Sequence, residues 1–230
     1  MHDVALYGHL TLDRIFDNFK KDCSIGSIGN VWKHLNKLNP NLKIYVEPTD
    51  IGEAMILVNR DTNERASIAN LSLRYRKPTL KKSKWNHIMY INELNDISYI
   101  KNIKSGIVSA DVCRGRIIED LSILKHVDFL FLSDEDEFCD PNRICKFLRK
   151  GLILHHSLGS SFYHNTGKKI DNFKVKQIDG VNVLGCGDML VSGFIDYYLK
   201  HQDTSRALQG SHDAISKYLN EQKGKNNGNS

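Results

Sequence analysis

The stretch NVLGCGDMLVSGF, Asn182 to Phe194, holds the residues best spaced for chemistry. Gly185 and Gly187 bracket Cys186, Asp188 follows at once, and an apolar run begins behind it. Glycines let a backbone approach a ligand closely and turn several N–H groups one way. A helix starting there adds its positive end. The product is an anion cradle with a carboxylate at its lip. Beside a phosphate, a carboxylate is suited to taking the proton from a hydroxyl that attacks phosphorus. The same four residues also describe a tight turn followed by an N-cap. The motif by itself leaves both readings open.

Other candidates are weaker. His155 and His156 are neighbours on a predicted strand, so they point to opposite faces and cannot easily share one ion. Cys139 and Cys145 have no histidine at metal spacing, and Cys186 has no local base. Ser133 to Glu137, SDEDE, reads as a solvated acidic loop at a strand end or as a metal cluster. Arg65, Arg114 and Arg116 are candidates for anion contact, and each reads first as a surface residue. Arg74 to Lys84, RYRKPTLKKSK, is the tightest basic cluster and reads first as a solvated loop.

The elements that must position the motif alternate. DVALYGHL, LKIYVEP, WNHIMYIN, GIVSADV, VDFLFLS and GLILHHS read as strands, with SFYHNT and FKVKQID as shorter ones. Helical spacing predicts helices over GNVWKHLNKL, DISYIKNI, IIEDLSIL, CDPNRICKFLRK, DMLVSGFIDYYLKH and RALQGSHDAISKYL. Trp32 and Trp85 sit in apolar patterns that place them in the core or at a lid base. EAMILVNRDTNERASIANL is two strand-like runs around Asp61-Thr62-Asn63, a hairpin that interrupts the alternation. Strands alternating with helices imply a mostly parallel sheet covered on both faces. Ligands bind beyond the carboxyl ends of such strands, which is where Gly185 to Asp188 falls.

The bulk numbers agree with one folded domain. The chain has 230 residues, 40% hydrophobic and 26% charged. A net charge of +5, spread along the chain, gives no argument for nucleic acid. Five cysteines without CxxC spacing suit reduced thiols in a cytoplasmic protein. There is no signal-peptide pattern and no run of the roughly 18 apolar residues that a membrane helix needs, so no membrane partner is expected. The tail from Asn220 onward, NEQKGKNNGNS, is polar and predicted to be disordered.

The order of these features resembles the ribokinase-like, or PfkB, carbohydrate kinase family. That family closes with D-T-x-G-A-G-D before an apolar helix, and Asn182 to Asp188 occupies that place. Ile25-Gly26-Ser27-Ile28-Gly29-Asn30 matches the second Gly and the Asn of its Gly-Gly-x-x-x-Asn signature. Asp13 stands where the family has an aspartate that touches sugar hydroxyls. VDFLFLSDEDE falls at its strand with N-x-x-E, and LILHHSLGSSFYH at its strand with T-x-G-x-x-G.

The resemblance implies an α/β fold: a three-layer α/β/α sandwich over residues 1–220, with a reduced β-hairpin lid near 54–73 and a tail at 221–230. It implies transfer of the γ-phosphate of ATP to a hydroxyl of a sugar or sugar-like molecule. Asp188 would be the base, and Gly185, Cys186 and Gly187 the anion hole. Asp13, Gly26 and Asn30 would hold the acceptor. Ser157, Gly159 and Asn182 would line the nucleotide site. Mg²⁺ would bridge the phosphates with support near Asp136. A nucleoside acceptor, or a non-catalytic binding role through a partner, are the alternatives. The exposed edge of the lid hairpin offers pairing with a second chain.

The chain departs from the family pattern at named places. Asn182 replaces an Asp, Val183 and Leu184 replace the usual Thr pair, and Ser133 and Asp136 replace Asn and Glu. Phe162 replaces the second glycine of the nucleotide loop. The segments between Asp13 and Gly26, and between the first helix and the hairpin, are short, which predicts a smaller lid.

Overall fold

Runs such as Val4 to Tyr7 and Phe129 to Leu132 are apolar at every position, and a strand can bury such a run only if both faces are covered. In the computed structural model both runs do lie in a sheet sandwiched between two layers. The structure describes residues 1–17, 20–59, 65–112, 118, 120–134, 136, 140–175 and 184–227. Val4, Leu6, Phe129 and Phe131 pack with Trp85 on one face; Ala5, Tyr7, Leu130 and Leu132 pack on the other. The first face is covered by helices α1 (Ile28–Leu38), α3 (Cys186–His201) and α4 (Thr204–Asn227), which supply Val31, Leu35, Phe194, Ile195 and Leu208. The second is covered by 3-10 turns at Ser98–Asn102 and Leu121–His126, with the short α2 (Pro141–Ile144).

Among the described residues the sheet has ten strands. They are β1 (His2–Asp17), β2 (Lys20–Ser27), β3 (Ile44–Val58), β4 (Arg65–Tyr75), β5 (Ser83–Met89), β6 (Ile107–Asp111), β7 (Phe129–Ser133), β8 (Gly151–His156), β9 (Gly159–His164) and β10 (Lys169–Lys174). Their order is β10-β9-β8-β7-β6-β5-β1-β3-β4, with β2 paired to β1. The run β3-β1-β5-β6-β7-β8 is parallel throughout. The strands β9, β10, β2 and β4 are antiparallel to their neighbours.

The lid differs from the expected single hairpin. β1 and β3 do not stop at the core but run on together, in parallel register from Val4↔Ile44 to Asp17↔Val58. So LKIYVEP and EAMILV form one strand. The segment KKDCSIGS, to which the sequence assigned no element, is the strand β2, folded back on β1 from Asp17↔Lys20 to Leu10↔Ser27. β4 completes the predicted hairpin with β3, whose tip, Asp61-Thr62-Asn63, lies outside the described residues.

Three helices also differ. DISYIKNI and the second half of IIEDLSIL fold as single 3-10 turns, and CDPNRICKF as α2 plus a 3-10 turn at Cys145–Phe147. These segments are short, and a helix of one or two turns gains little beyond its nucleation cost. α4 continues to Asn227, into the stretch read as a disordered tail. Trp85 is fully buried, but Trp32 is 45% exposed on the solvent side of α1, because Val31 and Leu35 already fill the face that packs.

Candidate active site

The carboxyl ends of the parallel strands and the N-termini of α1 and α3 converge. Gly185 is the residue before α3 and adopts a left-handed conformation, φ 82°, that suits glycine. Asp188 lies in the first turn of α3, at the positive end of that helix. Gly187 faces strand β8: a Cβ placed there would lie 3.7 Å from His155 Cε1 and 3.8 Å from Nε2. Asn30, in the first turn of α1, donates its Nδ2–H to Asp188 Oδ2 at 2.9 Å. Ser192 Oγ–H, one turn into α3, donates to the Asp188 carbonyl at 2.7 Å and lies 3.3 Å from the Val31 carbonyl, tying α3 to α1. Two residues from the distant motifs IGSIGN and LGCGD thus meet side chain to side chain.

Two of the residues expected to hold an acceptor, Asp13 and Gly26, lie on the paired strands β1 and β2. Asp13 is nearly buried, and its Oδ1 has no hydrogen-bond partner among the described residues. Burial pushes its carboxyl above the usual range, partly offset by a hydrogen bond from Thr11. Gly26 sits across β1 from Thr11, and any Cβ there would overlap the Asp13 carboxylate and the Thr11 hydroxyl. The glycine therefore makes the space that Asp13 occupies. Thr11 Oγ1 and Ser27 Oγ share a hydrogen bond at 3.2 Å, so the inner surface of this hairpin is polar.

A third carboxylate, which no motif singles out, lies close to Asp188. Asp111 ends β6, is 8% exposed, and accepts the Val112 N–H at 2.7 Å. Burial holds its carboxyl well above the usual range; the negative charge of Asp188 raises it further, the Val112 bond lowers it and Asp136 raises it. An acidic residue ending an apolar strand of a parallel sheet was the available signal. Asp136 Oδ2 accepts the Ser133 N–H at 2.7 Å, which folds the acidic loop back on the end of β7. Among the described residues no three His, Cys, Asp or Glu side chains gather at ligating distance.

The residues expected to line a nucleotide site are less concentrated. Ser157 is exposed in the turn between β8 and β9. Gly159 opens β9 at φ 139°, and a Cβ there would overlap the Phe173 carbonyl. Its backbone role is therefore close packing on β10. Phe162 is buried in the core rather than open to a ligand. His155 and His156 diverge as a strand requires: the first faces Gly187, the second accepts the Leu158 N–H at Nδ1. Asn182, Val183, Arg114, Arg116, Cys113, Cys139, Glu135 and Glu137 lie outside the described residues, as does the side chain of Arg65. Cys23, Cys145 and Cys186 form no disulfide among the described residues, and no described helix is long and apolar enough to cross a membrane.

No protein-family model matches the sequence, and no curated protein matches it either. Solved structures do match in shape. The nucleoside kinase of Methanocaldococcus jannaschii, described as an archaeal member of the ribokinase family, is 20% identical over 96% of this chain and 92% of its own, with a TM-score of 0.65. Adenosine kinase from Schistosoma mansoni, solved with 2-fluoroadenosine, is 12% identical over 94% of each chain, with a TM-score of 0.71. A pyrophosphate-dependent kinase in the ribokinase family is 14% identical over 94% of this chain and 95% of its own, with a TM-score of 0.70. The strand order, the lid and these likenesses together give this chain the ribokinase-like fold.

Proposed function

We propose that this protein is a small-molecule kinase that transfers the γ-phosphate of ATP to a hydroxyl of a sugar or sugar-like acceptor. The observation that carries this reading is the Asn30–Asp188 hydrogen bond at the glycine-flanked start of α3. It fixes one rotamer of a carboxylate beside a helix N-terminus, where an anion is favoured. The acceptor lies between the Asp13 side of the lid and Asp188. Its hydroxyls donate to Asp13, whose buried Oδ1 lacks a donor among the described residues. Asp188 takes the proton of the attacking hydroxyl. The N–H groups of Gly185, Cys186 and Gly187 meet the charge that develops on the transferred phosphoryl group. Ser157, Gly159 and Asn182 line the donor side.

Mg²⁺ fits this site as a hydrated ion. Asp111, Asp136 and Asp188 are close enough for the last two to raise the proton affinity of the first, yet among the described residues they form no direct ligand cage. Asp136 and Asp111 would hold the ion through its waters, and when bound it would neutralise phosphate charge. Cysteines held outside disulfides, Cys23 and Cys145 among them, suit a cytoplasmic setting. The edge strand β4 gives a second copy a place to pair, which sedimentation would test.

A nucleoside acceptor is the second reading, favoured by the likeness in fold to nucleoside and adenosine kinases. Thermal-shift screening with ATP–Mg²⁺ or pyrophosphate against sugars, inositols and nucleosides identifies the ligands, and a product-release assay reads the reaction. Turnover should fall by about 10²–10⁴ in Asp188→Asn, the usual cost of losing a general base, with donor binding retained. Unchanged turnover would remove Asp188 from the mechanism. Ligand stabilisation with no phosphoryl transfer would favour a binding protein that acts through a partner.

A further inference from the structure

The anion cradle has a support beyond Asn30 and Asp188. His34 stands one turn after Asn30 on α1, so the two share a face of that helix. On this face Asn30 reaches Asp188, and His34 reaches the turn in front of α3: a Cβ on Gly185 would lie 3.7 Å from His34 Nε2. Tyr218 of α4 closes on the same spot from the other side, its hydroxyl also 3.7 Å from that position. The two rings meet edge to face, with centroids 5.4 Å apart and planes at 83°. The Tyr218 hydroxyl donates to the Leu184 carbonyl at 3.3 Å. One turn further along both helices, Lys37 pairs with Glu221. Nearer the start of α4, Gly193 of α3 lets Ser211 approach so closely that a Cβ would lie 2.8 Å from the Ser211 Cα. α4 is thus pinned on α3, and Tyr218 follows two turns after Ser211 on the same face.

The chemical consequence comes from the peptide plane. The Leu184 carbonyl and the Gly185 N–H belong to one planar trans unit, so they point in opposite directions. Holding the carbonyl toward α4 aims the Gly185 N–H away from it. Gly185, at φ 82°, lacks the side chain that would otherwise restrict this unit, so an outside restraint is needed to give it one orientation. Burial and the charges of Lys33 and Lys37 push the His34 ring down to about 4, so it packs against Tyr218 as a neutral group.

We propose that Tyr218, braced by His34, is a positioning residue for the phosphate cradle: its hydroxyl fixes the Leu184–Gly185 peptide and so presents the Gly185 N–H to the anion. This rests on reading the start of α3 as a phosphate site. The test uses the full-length protein and inorganic pyrophosphate as probe, with calorimetry for affinity and the Gly185 amide resonance as a local reporter. In the parent protein pyrophosphate should move that resonance downfield. Tyr218→Phe keeps the ring and its contact with His34. It should leave the thermal midpoint nearly unchanged, lose the downfield shift and bind pyrophosphate about tenfold more weakly, the size of one hydrogen bond. His34→Leu, which removes the brace but not the hydroxyl, should lose part of the same shift and serves if Tyr218→Phe folds poorly. A Tyr218→Phe protein with parental affinity and parental Gly185 shift overturns the positioning role alone. A parent protein whose Gly185 resonance ignores pyrophosphate overturns the cradle, and the positioning role with it.

Discussion

The core half of the sheet and its lid half treat their two faces in opposite ways. In the core, β5 to β8 are buried on both sides, and Trp85, Phe129 and Phe194 stack and cross within 6.1 Å of one another. In the lid, the inner face carries Thr11, Asp13, Gly26 and Gly52, small or polar residues paired across β2, β1 and β3. The outer face carries Leu12 against Ile25, and Met55 against Ile68, all at least 41% exposed. A sheet that covers a core puts its apolar side inward. The lid turns its polar side inward instead.

That contrast can be broken by substitution. Phe129→Ala, in the middle of the aromatic cluster, should cost about 3–5 kcal/mol by chemical denaturation, as large-to-small changes in packed cores do. A much smaller loss would mean that the core is loosely packed. Gly26→Ala should cost about 1–3 kcal/mol, because the new methyl must displace Asp13 and Thr11. It should also abolish stabilisation by the acceptor, and acceptor binding at the parental level would separate Asp13 from the site.

Asp111→Asn sharpens the contrast through pH. The raised carboxyl of Asp111 means that the folded state holds its proton more tightly than the unfolded chain. Its favourable contribution is full below the unfolded carboxylate range and is lost as pH rises through the folded value. The variant should therefore gain on the parent as pH rises, measured as the difference in thermal midpoint between mildly acidic and mildly alkaline buffer. A constant difference would mean that Asp111 does not titrate across folding. The smallest effect is expected at Ile68, which is 74% exposed on the outer lid face. Ile68→Lys should change stability by about 0.5 kcal/mol or less in denaturant titration, as surface substitutions do.

Much of this was legible because periodicity reports burial. Continuous apolar runs marked β1, β5, β7 and β8, and the glycines with Asp188 marked the start of α3. β2 was not legible: KKDCSIGS has neither alternation nor β-branched density, and only its pairing with β1 makes it a strand. The joining of LKIYVEP to the hairpin escaped for a related reason. Pro48 and Gly52 look like breakers, yet Pro48 follows the ladder of β1 beside the irregularity at Gly8 and His9. Asp111, His34 and Tyr218 were invisible because their significance lies in what other elements bring to them. That Asn30 and Asp188, 158 positions apart, belong together was readable only through the family resemblance.

The shared register of β1 and β3 has a mechanical consequence. Both strands pass from core to lid without a loop, so the lid hangs on two stiff beams rather than on a hinge of free chain. The beams change register at Gly8 and His9, where Gly8 takes φ 112° and lies against the Met89 backbone. A bulge is where a paired strand bends most readily. Asp13 lies beyond that point, on the part of β1 that runs out of the core in register with β3.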